Sequence, residues 1–96
     1  MDKEEKKLVF KIIKSENLKS VYFYILEHNN FVQKDLKKET LIKNESHVSN
    51  AIKFFRENNL IKCKNKEDAN YKIYEATPKI FKIKEEVEKY KKVNKS

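Results

Sequence analysis

The chain has 96 residues, a formal net charge of +8 and a charged fraction of 40%, and it is long enough for one small domain spanning residues 1–96. No apolar run reaches membrane-spanning length and no segment resembles a signal peptide, so we expect a cytoplasmic protein without a membrane partner. The single cysteine, Cys63, excludes an internal disulfide and a multi-cysteine zinc site.

The excess of positive charge indicates an acidic partner. Nucleic acid is the first candidate and an anionic membrane surface is the second. The alternative is that the charge reflects only a lysine-rich surface of the kind found in thermophiles. Five tyrosines and six phenylalanines, among periodic apolar residues, favour a folded domain over a disordered chain.

Apolar spacing predicts a mostly helical chain with one β-hairpin. The predicted helices cover 3–15, 18–28, 32–40, 45–58 and a segment beginning at Pro78. Extended segments at 60–64 and 71–76 flank a polar loop, which predicts a hairpin. The chain has no glycine, so the helix ending at Asn58-Asn59 is expected to use asparagine in its left-handed C-terminal cap. A short helix, a turn, a longer helix and a hairpin form the pattern of a winged helix-turn-helix, in the α+β class.

The segment VSNAIKFFRENNLIKC at 48–63 resembles the core of the MarR and ArsR families of small archaeal and bacterial regulators. Their pattern V-S-x-x-L-x-x-L-x-x-x-G-L-I is matched in order by Val48, Ser49, Ile52, Phe55, Asn59, Leu60 and Ile61. The segments VYFYILEHN, KDLKKE and NYKIYEATPK resemble the first helix, the second helix and the second wing strand of these families. The resemblance implies a winged core at 18–78 with additional helices at 1–17 and 79–96.

The helix at 45–58 has a polar face opposite its apolar stripe. A recognition helix enters the major groove N-terminus first and reads base edges with short polar side chains. The candidate DNA-reading residues are Asn44, Ser46, His47, Ser49, Asn50 and Lys53. Asn50 can pair bidentately with adenine, and Lys53 can reach guanine or a phosphate. The alternative is that this face is only solvated.

The hairpin is rich in lysine, which suits contacts with DNA phosphates. The candidate wing contacts are Lys62, Lys64, Lys66, Asn70 and Lys72. MarR-like wings often carry an Asp-x-Arg that reaches the minor groove. Here Asp68 and Asn70 stand at those positions, so the arginine is missing. Two family glycines are also replaced, by Asn59 and by Ile80.

The two terminal helices carry apolar residues that a bare winged-helix core does not need. The candidate dimer-interface residues are Leu8, Ile12, Ile13, Ile80, Ile83, Val87 and Tyr90. MarR-like proteins dimerise through their terminal helices, so the resemblance implies a homodimer. The alternative is that both helices pack within one chain.

The sequence contains no catalytic pattern: it lacks a glycine-rich phosphate loop, a metal-ligand pair at useful spacing and a nucleophile beside a histidine. We therefore expect no enzyme, no metal and no cofactor, and the sequence identifies no small-molecule effector. Three function classes remain open. They are a dimeric transcription regulator that binds specific double-stranded DNA, an architectural or plasmid-partition DNA-binding protein, and a winged-helix module for protein interaction.

Overall fold

The computed structural model describes residues 3–40, 42–65 and 72–93, with side chains up to residue 89. Its elements are α1 Lys3–Lys14, α2 Glu16–Glu27, β1 Asn30–Val32, α3 Gln33–Glu39, α4 Glu45–Glu57, β2 Ile61–Cys63, β3 Ile73–Ala76, α5 Pro78–Lys82 and α6 Lys84–Val93. The order agrees with the prediction except in two places. One strand, β1, is added, and the last helix is divided in two.

Helix α2 begins two residues earlier than apolar spacing predicts, because Ser15 caps it. The Ser15 hydroxyl oxygen accepts a hydrogen bond from the Leu18 backbone N–H at 3.2 Å, which satisfies one of the free donors of the first turn. The apolar stripe of α2 then places Val21, Tyr22 and Ile25 in the core. The Tyr22 hydroxyl donates to the Ile80 carbonyl at 2.6 Å, a buried bond that ties α2 to α5.

Helices α3 and α4 form the predicted helix-turn-helix. The turn between them places Ile42 in the core at 2% exposure. Helix α4 begins at the predicted cap, where the Asn44 side-chain oxygen accepts from the Ser46 backbone N–H at 2.9 Å. The apolar stripe of α4 is buried, so the opposite side faces solvent.

The predicted hairpin is part of a three-stranded antiparallel sheet in the order β1-β3-β2. Strands β2 and β3 pair in the register Ile61↔Ala76, as an adjacent hairpin does. The prediction of a two-stranded wing was incomplete, because β1 pairs with β3 in the register Phe31↔Tyr74. A strand of three residues is too short to show the alternation of apolar and polar residues by which strands are predicted. What fixes β1 is its long-range partner, since the Phe31 and Tyr74 rings pack 5.7 Å apart.

The prediction of one continuous C-terminal helix from Pro78 onward was wrong. It is interrupted at Ile83, which separates α5 from α6. Helix α5 lies near the end of α4, where the Lys79 ammonium donates to the Asn58 carbonyl at 2.9 Å. Beyond the break, α6 is free to pack on α1.

Both terminal helices pack into the core of their own chain, so most of the residues expected at a dimer interface are buried within that chain. Five of the seven expected side chains have at most 5% exposure, and these are Leu8, Ile12, Ile80, Ile83 and Val87. Side chains this buried offer no surface to a second copy. A chain of 96 residues needs them to complete a core. Ile13 is half-buried, and the Tyr90 side chain lies outside the described part of the structure.

Within residues 3–40, 42–65 and 72–93, we find no helix with both the length and the apolar character needed to cross a membrane.

Candidate nucleic-acid interface

The solvent side of α4 carries a line of polar residues. Ser46, Asn50, Lys53 and Glu57 follow one another at helical spacing, and all four are exposed. Directly opposite, Val48 and Phe55 are at most 1% exposed. The helix therefore has one face fixed in the core and one face exposed to solvent. Of the predicted reading residues, Ser46, Asn50 and Lys53 share this central line.

The other three predicted residues lie around it. Asn44 precedes the helix, and its side-chain oxygen is occupied by bonds from both the backbone N–H and the hydroxyl of Ser46, at 2.9 and 2.6 Å. Asn44 is therefore first a capping residue. His47 and Ser49 are exposed on opposite flanks of the line, because positions two apart on a helix point in very different directions. The six residues thus form a band along α4 with two flanks.

A carboxylate stands at each end of the band. Glu45, in the first turn, forms an ion pair with Lys37 of α3 at 3.4 Å. The negative charge of Glu45 also stabilises α4, because it lies at the positive N-terminal end of the helix dipole. Glu57 stands in the last turn and is exposed. Because carboxylates repel DNA phosphates, the neutral and basic stretch from Ser46 to Lys53 is the part of α4 suited to DNA.

Ser49 is linked to a residue that the sequence analysis missed. The Gln33 amide, at the start of α3, donates to the Ser49 hydroxyl oxygen at 3.0 Å. Gln33 is exposed, so its side chain extends the polar band from α4 onto α3. Its position at the start of the first helix of the helix-turn-helix was the only sequence signal.

Beside this flank lies a groove between α4 and β3, which we call the α4–β3 groove. It has a volume of about 420 Å³, and its lining residues are Gln33, Ser49, Ile52, Lys53, Arg56, Glu57 and Tyr74. The Arg56 guanidinium carbon lies 6.0 Å from the centre of the Tyr74 ring, within cation–π range. Burial raises the pKa of the Tyr74 hydroxyl, and the positive charge of Arg56 opposes that rise. Sequence analysis missed Arg56, although its being the only arginine of the chain was a visible signal.

The wing lysines are less free than the sequence suggests. Glu75 of β3 reaches Lys62 at 3.9 Å and Lys64 at 3.8 Å with its two carboxylate oxygens. Such surface pairs are weak, at about 0–1 kcal/mol, so a phosphate can compete for either lysine. Lys72 is half-buried, and no ion pair of Lys72 occurs among the described residues. Lys66, Asp68 and Asn70 lie outside the described part of the chain.

Cys63 lies half-buried in the wing rather than open to solvent. Its sulfur is 3.3 Å from the Asn65 side-chain oxygen, which also accepts from the Ile73 backbone N–H at 3.1 Å. Among the residues with described placement, no group of three or more His, Cys, Asp and Glu could hold a metal ion.

No known sequence family matches the chain, and no curated protein sequence is significantly similar to it. Among solved structures, the chain is similar to the crystal structure of an ArsR family transcriptional regulator, with a TM-score of 0.65 and 10% identity. The similarity covers 100% of this chain and 96% of that one. At this identity the likeness is one of fold. It confirms the predicted winged-helix fold of the α+β class, including the extra helices at both ends.

Proposed function

We propose that this protein is a transcription regulator that binds double-stranded DNA, reading the major groove with α4 and contacting phosphates with the wing. The observation that carries the proposal is the exposed line Ser46, Asn50 and Lys53 on a helix whose opposite face is fully buried. The major groove is about 12 Å wide and admits an α-helix such as α4, whose diameter with side chains is about 10–12 Å. The net charge of +8 supplies the sequence-independent attraction to DNA.

The roles of the polar residues follow from their chemistry. The Asn50 amide can donate to and accept from adenine in the major groove, which makes Asn50 the residue best suited to base recognition. Lys53 has no described ion-pair partner and can reach guanine or a phosphate. The lysines proposed to contact phosphates independently of sequence are Lys62, Lys64 and Lys72 of the wing.

The test is selection of binding sites from a random duplex library with the parent protein and with Asn50→Ala and Ser49→Ala. Each lost base contact should weaken binding to the preferred site by about 1–3 kcal/mol and relax the preference at one position. Lys84→Ala, on the exposed side of α6, is the control and should keep the parent's preference. If all variants select the same sites, α4 does not read bases.

The same selection separates a regulator from an architectural protein. A regulator should give a discrete footprint at a selected site. A protein that coats any duplex without preference has an architectural or plasmid-partition role, and one that binds no duplex points to a protein-interaction module.

We also propose that the protein acts as a homodimer, with its two recognition helices about 34 Å apart, one turn of DNA. The side chains that could meet a second copy are those left exposed on α1. Phe10 is 55% exposed and Ile13 is half-buried, and both line a groove of about 530 Å³ between α1 and Glu86 of α6. Lysines 6, 7 and 11 border this groove. Dimerisation should therefore strengthen with salt, since salt screens their mutual repulsion.

Light scattering over a range of salt and protein concentrations tests the dimer. The parent should dimerise at tens of micromolar and Phe10→Glu should be monomeric, whereas Phe81→Glu, a matched change at another exposed phenylalanine, should dimerise as the parent does. A parent that is monomeric at every salt concentration contradicts the dimer.

A further inference from the structure

We propose that the α4–β3 groove holds a backbone phosphate of bound double-stranded DNA, with the Arg56 guanidinium as its main ligand. This inference rests on the proposed function and adds to it two contacts that the recognition pattern does not supply, from Arg56 and from Gln33. The groove lies beside the flank of α4 that carries Ser49, and Lys53 of the central line also borders it. A duplex read by α4 therefore brings a phosphate to this groove.

The Arg56 side chain is positioned at the groove by the buried ring of Tyr74. The guanidinium lies 6.0 Å from the Tyr74 ring centre, and Tyr74 is only 3% exposed. That ring is held in turn by Phe31, 5.7 Å away in the neighbouring strand. An arginine packed on an aromatic ring loses less side-chain freedom when it binds. Its planar fork can donate two parallel hydrogen bonds to a phosphate, which a lysine cannot do.

No carboxylate competes for the two cations of the groove, and the Arg56 side chain interacts only with the Tyr74 side chain among the described residues. Among the described residues, no carboxylate lies within ion-pair distance of Lys53 or Arg56, whereas Glu75 engages both Lys62 and Lys64. The groove also contains Glu57, an exposed carboxylate in the last turn of α4. Two positive charges against one negative charge leave the groove positive, as an anion requires.

Two neutral groups complete the rim. The Gln33 amide donates to the Ser49 hydroxyl oxygen at 3.0 Å. The Ser49 oxygen is thus used as an acceptor, and its own hydrogen remains to be donated. A phosphate oxygen accepts and never donates, so the second N–H of the Gln33 amide and the positive charges favour the same kind of ligand, while the Ser49 hydrogen remains for a base contact.

The groove fits a phosphate carried by a polymer better than free phosphate. Gln33, Ser49, Lys53 and Arg56 are all exposed, so water competes for each of them and a free anion is held weakly. A phosphate that arrives with the duplex is already positioned by the contacts of α4, so its binding is effectively intramolecular.

The experiment measures binding by fluorescence anisotropy to a mixed-sequence duplex of about 30 base pairs, roughly three helical turns, between about 50 and 200 mM KCl. Arg56→Ala should weaken binding about tenfold at low salt and reduce the slope of log affinity against log salt by about one unit, the loss of one phosphate contact. Arg56→Lys keeps the charge but loses the fork, so its slope should match the parent's while its affinity falls. Gln33→Ala should lower affinity with no change of slope, because the amide is neutral.

The matched control is Lys84→Ala, which removes one positive charge from α6, outside the groove. It should keep the parent's slope, and circular dichroism melting should show every variant folded. If Arg56→Ala binds with the parent's affinity and slope while the parent binds DNA, the groove proposal is overturned and the proposed function stands. If the parent binds no duplex, both are overturned.

A further arm adds inorganic phosphate at constant ionic strength and follows the Arg56 side-chain signal by NMR. We expect no saturation at millimolar phosphate. If the signal saturates there and the duplex leaves it unmoved, the groove is a site for free anions and the assignment to DNA is overturned.

Discussion

Asn59 shows how far a single residue can be understood from composition. The chain has no glycine, and Asn59 adopts the left-handed conformation with φ of 60°, as predicted for the end of α4. The Asn59 N–H bonds to the Arg56 carbonyl at 3.0 Å and the Leu60 N–H to the Phe55 carbonyl at 2.9 Å. This pair of bonds is a Schellman motif, and the buried Leu60 and Phe55 provide its apolar contact. The cap was predictable because it is local.

Replacing Asn59 should test this cap directly. Asn59→Ala should lower the free energy of unfolding by about 1 kcal/mol, because a Cβ without a polar side chain is unfavourable at positive φ. Asn59→Gly should be neutral or more stable than the parent, since glycine has no such penalty. Urea denaturation gives both values. An alanine variant as stable as the glycine variant would contradict the assigned conformation.

Tyr22 illustrates what the sequence does not reveal. Apolar spacing predicted that its ring lies in the core, but not that its hydroxyl bonds to the Ile80 carbonyl 58 positions away. Desolvation in the core, with a smaller contribution from Glu88, raises the pKa of Tyr22 well above its ordinary value of 10. A distant backbone acceptor leaves no pattern near Tyr22 in the chain.

The raised pKa has a consequence for stability at high pH. The folded state holds the Tyr22 proton more tightly than the unfolded state, whose tyrosine titrates near pH 10. The stabilisation is therefore fully present below about pH 10 and is lost as the pH rises above it. Tyr22→Phe should lower the free energy of unfolding at pH 7 by about 1–2 kcal/mol, because the buried Ile80 carbonyl loses its donor. It should also flatten the decline of stability above pH 10, where burial also raises the pKa of Tyr24 and Tyr74.

Denaturant melts from pH 7 to 11 measure both effects. Tyr24→Phe is the control, because Tyr24 is only partly buried and should change the pH 7 value less. Identical slopes for the parent and Tyr22→Phe above pH 10 would contradict the role of Tyr22.

At the scale of elements, the helices were easier to predict than the sheet. The bounds of α3 and α4 agree with the prediction to within one residue at each end. The Asn44 cap and an apolar stripe mark α4, whereas α3 has no side-chain cap and is marked only by Leu36 in a polar segment. Strand β1 was not predicted, because it is only three residues long and is defined by its pairing with β3. The ion pairs of Glu75 were not predicted either, because they depend on the register of β2 against β3.

Glu75 should act on DNA binding through those pairs. Glu75→Gln frees Lys62 and Lys64 and removes a negative charge from the wing, so binding to any duplex should strengthen about two- to fivefold at low salt. The gain should shrink as salt is raised, because salt screens exposed charges. Fluorescence anisotropy against several unrelated duplexes measures it.

Glu85→Gln is the matched control, with the same charge change on an exposed position of α6. A gain of equal size in both variants would mean that net charge alone, rather than competition for the wing lysines, controls the effect.

At the scale of the whole molecule, the two terminal helices were expected to meet a second copy, and in the structure they pack within their own chain. Helical spacing correctly marked the apolar stripes of the terminal helices but could not tell an intramolecular contact from an intermolecular one. The two kinds of contact have the same side chains and the same period. Only packing distinguishes them, and it places Val87 at 0% exposure within the chain.

Val87→Ala should therefore destabilise the folded chain rather than dissociate a complex. We expect a loss of about 1.5–3 kcal/mol in the free energy of unfolding, from reduced apolar burial and the space left behind. The midpoint of urea unfolding should shift by the same amount at every protein concentration. A shift that disappears at high concentration would place Val87 at an interface. Lys89→Ala, an exposed change on the same helix, should leave the midpoint almost unaltered.

The far end of α4 is joined to the start of α5 by side chains as well as by packing. The Thr77 hydroxyl donates to the Asn59 carbonyl at 2.6 Å, the Thr77 N–H to the Leu60 carbonyl at 3.0 Å, and Lys79 to the Asn58 carbonyl at 2.9 Å. The near end of α4 is exposed and rests on the Asn44 cap and the Lys37–Glu45 pair. Local opening is easiest where backbone bonds are exposed and contacts are few. We therefore expect local opening of α4 to begin in its exposed first turn, so the end of the helix that would meet a base pair is the end expected to yield first.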